Sequence, residues 1–238
     1  MKQSILHKSA SRGIADHGWL HSRHTFSFAH YFDPQRMNFG ALRVLNDDTV
    51  AAGMGFGEHP HRNMEIISIP LKGELRHQDS MGTTAIIREG EIQVMSAGSG
   101  ITHSEYNHQS NQEVQFLQIW IVPNQQDVTP RYDQISIREL EKKNDFFQIL
   151  SPNPSDQGVW IHQEAWFHMG ILEKEHSTTY QFKNPDNGLY VFVLEGNIKV
   201  DGQELSDRDG LGIWETTEVL FESVTHARVL LMEIPMNF

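Results

Sequence analysis

Histidines 59 and 61 lie one residue apart in "GFGEHPHRNME" (55–65), with Pro60 between them. In an extended strand, residues i and i+2 point to the same face, roughly 6–7 Å apart along the chain. Two imidazoles so placed can converge on one metal ion, or they can be two ordinary surface side chains. Downstream, "SAGSGITHSEYNHQ" (96–109) supplies a second same-face pair, His103 and Glu105. Antiparallel neighbours lie about 5 Å apart, so two such pairs on adjacent strands can surround one ion with three imidazoles and a carboxylate. That donor set suits Fe(II), Mn, Co, Ni, Cu or Zn, and ligand type alone does not choose among them. The chain has no cysteine, which excludes sulfur ligands, thiolate nucleophiles and disulfides. A lone His-x-His on a surface carries little weight; four donors in two matching pairs favour metal binding.

Pairs of this kind need strands to hold them, and the sequence is rich in strand signals. "MEIISIPL", "TTAIIREG", "EIQVMSAG", "VQFLQIWIVP", "AWFHMGIL", "LYVFVLEG" and "ARVLLMEIP" are short β-branched or aromatic runs between glycine or proline punctuation. Convincing amphipathic helices are nearly absent, so the expected fold is all-β with few short helices. "LKGEL" (71–75) and "LEGNI" (194–198) each precede an acidic-Gly turn and a further strand, "EIQVM" and "LGIW" respectively. This echo suggests a duplicated β-barrel. The division is expected within 124–150 and is placed between residues 134 and 135, giving domains 1–134 and 135–238. Carrying the four donor positions across by the offset of the repeat lands on Phe182, Asn184, Ser223 and Thr225, and His176 and His226 each stand alone. One metal site, in the N-terminal barrel, is therefore expected.

A formal charge of −12 argues against a general nucleic-acid binder, which needs clustered Lys and Arg. "RELEKKND" (138–145) is the densest charge cluster, is mixed in sign, and reads as a solvated linker or short helix. The opening "MKQSILHKSASRGIADHGWL" lacks the apolar core of a signal peptide, and nothing approaches the roughly 20 apolar residues of a membrane span. The expectation is a soluble cytoplasmic monomer without a membrane or direct nucleic-acid partner. The glycines of "GMGFG" and "AGSG" read as tight turns or bulges, because no helix or Lys-Ser/Thr follows as a phosphate loop requires.

The two donor pairs resemble the two cupin motifs. The first reads Gly53-x5-His59-x-His61-x3-Glu65, with a glycine at 73, one residue later than the usual pattern. The second reads Gly100-x2-His103-x3-Asn107, with Gly90 upstream and two extra residues between. With their flanks, "HGWLHSRHTFSFAHYFDP", "GALRVLNDD", "GMGFGEHPHRNMEIISIPLKGELRHQDSMG" and "MSAGSGITHSEYNH" are similar to the pirin family of bicupins. The match covers roughly residues 11 to 123 and is thinner over the second half. The resemblance implies two tandem cupin (jelly-roll-type) β-barrels and one divalent metal ion, Fe(II) favoured, held by His59, His61, His103 and Glu105. It also implies that Glu65, the usual cupin carboxylate ligand, is not used. Glu65 is four residues beyond His61, about 13 Å away along an extended strand, which agrees; a structural or supporting role is expected for it.

Several pirins resemble quercetin 2,3-dioxygenases, which open a flavonol ring with O2 and release carbon monoxide. The leading expectation is accordingly a dioxygenase acting on a small aromatic, flavonol-like substrate, with Glu105 also accepting the substrate hydroxyl's proton. The alternative is a metal-containing, redox-sensitive module that regulates a protein partner without physiological catalysis. A third reading keeps the enzyme but gives it another enol-type metabolite. Phe56 is a candidate for lining the pocket, with core packing the equal expectation. His21 and His24 could orient ligands, although packing or surface placement is favoured. His77 and His108 flank the pairs and read first as hydrogen-bonding residues.

Overall fold

The computed structural model describes residues 2–238. Among the described residues the only helical segments are the 3-10 turns Ser9–Ser11 and Arg138–Leu140, and the rest of the ordered backbone is strand. The strands form two seven-stranded and two four-stranded sheets. Each large sheet packs one face on a small sheet to make a barrel, and the two large sheets pack back to back.

The central strands show why the apolar runs are continuous. Along Val114–Ile121, Leu117, Ile119 and Ile121 enter the seam between the large sheets, while Val114, Phe116, Gln118 and Trp120 alternate with them toward the first barrel's interior. In Ala227–Pro235, Leu230, Met232 and Ile234 enter the seam and Val229 and Leu231 fill the second barrel. A strand buried on both faces has no polar face to show, so period-2 alternation is hidden in the hydrophobicity pattern.

In the first barrel the large sheet orders Arg131–Ser136, Glu91–Ser96, Glu65–Lys72, Val114–Ile121, Leu42–Val50, Leu20–His24 and Gly13–Asp16. The small sheet orders Gly55–His61, Ile101–Asn107, Glu74–Asp79 and Thr84–Arg88. Two strands depart from the expected division of the chain. Arg131–Ser136 runs across 134/135 and pairs wholly with Glu91–Ser96 of the first barrel, and Gln3–His7 pairs with Gly210–Trp214 of the second. Each covers a strand edge that would otherwise present unpaired backbone groups. The first barrel thus extends to Ser136, and the chain's first strand joins the sheet of the second barrel.

The second barrel's interior is closed by packing. Leu189, Val191, Val193, Val219, Phe221, Val229 and Leu231 form one buried cluster there. Of the positions reached by the repeat offset, Phe182 packs against this cluster and Ser223 donates to the carbonyls of Glu173 and His176.

Candidate metal centre

His59 and His61 come from Gly55–His61, an edge strand of the small sheet, which is where Pro60 is tolerated within a strand. His103 and Glu105 come from its antiparallel neighbour, Ile101–Asn107, although four other strands intervene in the chain. His59 stands directly opposite His103, but Glu105 stands opposite Phe56, so three steps on one strand match two on the other. This bulge lies in the glycine-rich half of the edge strand. Gly55 is forced there: a Cβ would sit 2.3 Å from the Glu105 carbonyl oxygen.

The three imidazoles converge. Ring centroids are 4.8 Å apart for His59–His61, 4.5 Å for His59–His103 and 4.9 Å for His61–His103, and one donor atom from each lies within 4.8 Å of the others. As placed, Glu105 joins a second such trio, with His103 and His77. Glu105 is thus grouped with His103 but not with His59 and His61, so the four expected donors do not form a single group as placed. Glu65 belongs to neither trio; it is buried and accepts a hydrogen bond from Ser96 Oγ at 2.6 Å.

Hydrogen bonds fix which ring nitrogens remain free. His59 Nδ1 donates to the Gly57 carbonyl at 2.7 Å, leaving Nε2 as its lone-pair atom. His77 Nε2 donates to Asp79 Oδ2 at 3.0 Å, so its Nδ1 is an acceptor, and His103 Nδ1 faces it at 3.5 Å. His103 is thereby left with its proton on Nδ1 and an unpaired Nε2, which is buried without any hydrogen-bond partner. A buried ring nitrogen with no partner, beside two further imidazoles, suits a cation. Burial, reinforced by the neighbouring imidazoles, pushes His103 down to about 2, and burial with His59 pushes His61 down to about 4. Both rings are neutral at physiological pH, the form that ligates.

Glu105 is fully enclosed. Ser68 Oγ donates to its Oε1 at 3.0 Å and Gln118 Nε2 to its Oε2 at 2.6 Å, and burial pushes its carboxyl up to about 7. A cation nearby acts in the opposite direction and favours the carboxylate. Trp120 stands edge-on to His61 with centroids 5.0 Å apart, and its indole nitrogen is buried and unpartnered. A cavity of about 520 Å³ opens at His61, bordered by Pro60, Arg62, Ser80, Ile101 and Thr102. This is within the usual size of a small-molecule site.

Other expected residues lie apart. Phe56 packs against Trp19 (centroids 5.4 Å) on the Leu75–Phe116 core cluster and does not line that cavity. His21 is half-exposed beside Asp16, and His108 lies 3.9 Å from Glu74. His24 is buried against Phe28, which in turn meets Trp120, so it reaches the trio only through two aromatic contacts. Ser68, His77, Gln118 and Trp120 are the site residues that motif reasoning undervalues. For Ser68, Gln118 and Trp120 the signal is a polar or indole side chain on the interior phase of an otherwise apolar strand, whereas His77 lies in the polar strand "ELRHQD" and carries no such mark.

Comparison with known proteins now decides the family. Residues 7–121 match Pirin, and residues 148–234 match the quercetinase C-terminal cupin domain. The chain is 42% identical over 230 residues to a quercetin 2,3-dioxygenase of Escherichia coli, covering 97% of this chain and 98% of that one. This chain belongs to the pirin family. It is also 37% identical to a pirin-like protein of Caulobacter vibrioides, covering 93% of this chain and 95% of that protein. A crystal structure of a bacterial pirin in complex with nickel(II) from Escherichia coli superimposes with a TM-score of 0.92 at 40% identity, covering 98% and 99% of the two chains. The two barrels are accordingly cupins, and the His/Glu cluster of the first is suited to a metal ion. Among the described residues no helix is long and apolar enough to cross a membrane.

Proposed function

We propose that this pirin is a metal-dependent dioxygenase that opens a flavonol-type ring, with one divalent ion held by His59, His61, His103 and Glu105. The observation that carries the reading is the convergence of three imidazoles, one with an unpartnered buried nitrogen, beside an enclosed carboxylate. Similarity to a named quercetin 2,3-dioxygenase along nearly the whole chain supports the substrate class. Iron is the favoured metal, and the nickel(II) complex of a relative supports testing nickel beside it.

A divalent ion held there supplies a Lewis acid that stabilises a substrate hydroxyl in its deprotonated form. The protein's own groups do the rest. Glu105, aimed by Ser68 and Gln118, is the carboxylate placed to accept that hydroxyl's proton. The Asp79–His77 pair holds His103 in the tautomer that leaves its buried Nε2 with a free lone pair. Trp120 walls the site beside His61, and the cavity at His61 is the place a flat aromatic substrate would enter.

The test is quercetin turnover under air by protein loaded with Fe(II) or Ni(II), with carbon monoxide detected, beside a His103→Ala control. Carbon monoxide from the loaded wild type and none from the control is the expected result. No carbon monoxide from protein holding a full metal equivalent would remove the flavonol assignment and leave the metal site standing.

A further inference from the structure

We infer that Arg12, Arg23 and Arg208 form a binding site for a small, singly charged oxyanion at the seam between the two barrels. Arg12 precedes the strand Gly13–Asp16 of the first barrel, Arg23 lies in its partner Leu20–His24, and Arg208 comes from the turn leading into Gly210–Trp214 of the second. The three border one cavity of about 280 Å³, together with Ser9, Ala10 and Asp207. None of these residues belongs to the histidine cluster, so the inference does not rest on the metal site.

The case begins with unmet hydrogen-bonding capacity. Arg12 is only 7% exposed, and its guanidinium reaches a carboxylate at the outer limit of hydrogen bonding: Nη1 and Nη2 both lie 3.4 Å from Asp47 Oδ2. Its Nε is buried with no partner. Arg208 uses the same oxygen, with Nε 3.7 Å from Asp47 Oδ2, and its Nη1 is also buried and unpartnered. One carboxylate oxygen is therefore shared between two guanidiniums, where each fork could take two oxygens of its own. Buried polar groups almost always find partners, so two orphaned nitrogens in guanidiniums that border one cavity mark a shortage of acceptors in this cluster, and the cavity is where a further acceptor can enter.

Arg23 strengthens the argument. It stands directly opposite Asp47 on the neighbouring strand, so the two side chains leave the same face of the sheet. Yet the Arg23 guanidinium makes no ion pair or hydrogen bond among the described residues. Asp47 is drawn to Arg12 and Arg208, and Arg23 is left half-buried at the cavity wall. Arg208 is held in place at a cost, in a left-handed backbone conformation (φ 64°) uncommon for a residue with a side chain. Such strain is retained where surrounding structure enforces it, often at binding sites.

Charge and size set the ligand class. Three guanidiniums against Asp47 and Asp207 leave a local excess of one positive charge, in a protein whose net charge is −12. The neighbouring Lys8–Asp209 pair, at 2.8 Å, is neutral in itself. A carboxylate or a phosphate monoanion matches that excess and offers the paired oxygens that guanidinium forks recognise. Arg12 also lies 5.5 Å from the centroid of Phe192, a seam residue, so an anion held here touches groups of both barrels.

The experiment uses the full chain with isotope-labelled arginine and follows the Nε–Hε resonances of Arg12, Arg23 and Arg208. Sodium acetate and inorganic phosphate are titrated separately at constant ionic strength, with chloride as the balancing ion. The expected result is a saturable shift of all three resonances with at least one probe, its midpoint raised by about tenfold or more in Arg23→Gln. Arg23 has no partner to lose, so this variant is expected to keep the wild-type melting temperature. Saturation by acetate alone assigns a carboxylate ligand, and saturation by phosphate alone assigns a phosphoryl group. Shifts that rise linearly with both salts, or a midpoint unchanged in Arg23→Gln, overturn the site and leave water as the partner of the orphaned nitrogens.

Discussion

His77→Phe tests whether the Asp79–His77–His103 line prepares the metal centre. His77 is fully buried and stacks on Tyr132 with ring centroids 4.8 Å apart, a contact that phenylalanine can keep. The substitution removes the acceptor facing His103 Nδ1 at 3.5 Å, and with it the donor to Asp79 Oδ2, whose other oxygen keeps its two backbone N–H partners. His103 is only 1% exposed, so water does not readily replace that acceptor. An unpaired buried donor costs about 1–3 kcal/mol. The ring can escape the cost by rotating or by moving its proton to Nε2, and either change blocks the ligand atom. Converted at about 1.4 kcal/mol per tenfold, the expected loss in metal affinity is about 10–100-fold, the range typical of groups that orient a metal-bound histidine. The assay is competition with a chelator of known affinity, using Ni(II) and then anaerobic Fe(II), with circular dichroism to check that the barrel persists. Asp79→Asn should also lose affinity, because Oδ1 accepts from the Met81 and Thr83 backbone N–H groups, which keeps the amide oxygen there and turns the NH2 toward His77 Nε2. Affinity within about threefold of wild type for folded His77→Phe, under conditions where His61→Ala binds no metal, would refute the reasoning.

Glu105→Gln should depress turnover more than metal content, measured as product per bound metal equivalent, since its partners Ser68 and Gln118 can still hold an amide. Gly55→Ala forces a methyl against the Glu105 carbonyl at 2.3 Å and should destabilise the protein by about 1–3 kcal/mol in denaturant unfolding, with metal affinity falling in parallel. A third expectation concerns pH. Burial lowers the pKa of His168, which is hydrogen-bonded to Tyr180, from 6.5 to about 3. The unfolded chain takes up that proton first as pH falls, so His168 costs stability below pH 6.5 by roughly 3 kcal/mol at pH 4, and nothing well above pH 6.5. Chemical denaturation of His168→Gln across that range should show a shallower decline than wild type; parallel declines would show that His168 does not titrate there.

The two donor pairs were legible because strand geometry ties sequence spacing to side-chain direction. His59 with His61, and His103 with Glu105, share a face whatever the rest of the chain does. The internal repeat indicated two barrels and one site, and the family resemblance added the cupin identity of the barrels and the assignment of the four donors to one ion. The bulge was not legible: nothing in "GFGEHPH" marks where the extra residue falls, and that residue sets Glu105 opposite Phe56, while regular pairing on its other side sets Glu105 opposite His77. Nor was the pairing of Gln3–His7 with Gly210–Trp214, because a short strand carries no local mark of a partner some 200 residues away.

The groups that tune the centre were hidden for a different reason. In "VQFLQIWI" the apolar content is so high that Gln118 and Trp120 read as exceptions within a core strand. Packing the two large sheets back to back buries both phases of that strand, and only then does the phase of Gln118 acquire meaning: it is the interior of the first barrel, where an amide must find a partner and finds Glu105. Ser68 in "EIISIPL" follows the same rule, alternating with Ile67 and Ile69 of the seam. The second barrel fills the corresponding phase with Val229 and Leu231 and satisfies its buried polar groups internally: Tyr180 Oη meets His168 and donates to Glu233, which also accepts from the backbone N–H groups of Lys183 and Asn184. One architecture therefore supports an open donor cluster in one barrel and a sealed core in the other, through the residues placed on the interior phase of equivalent strands.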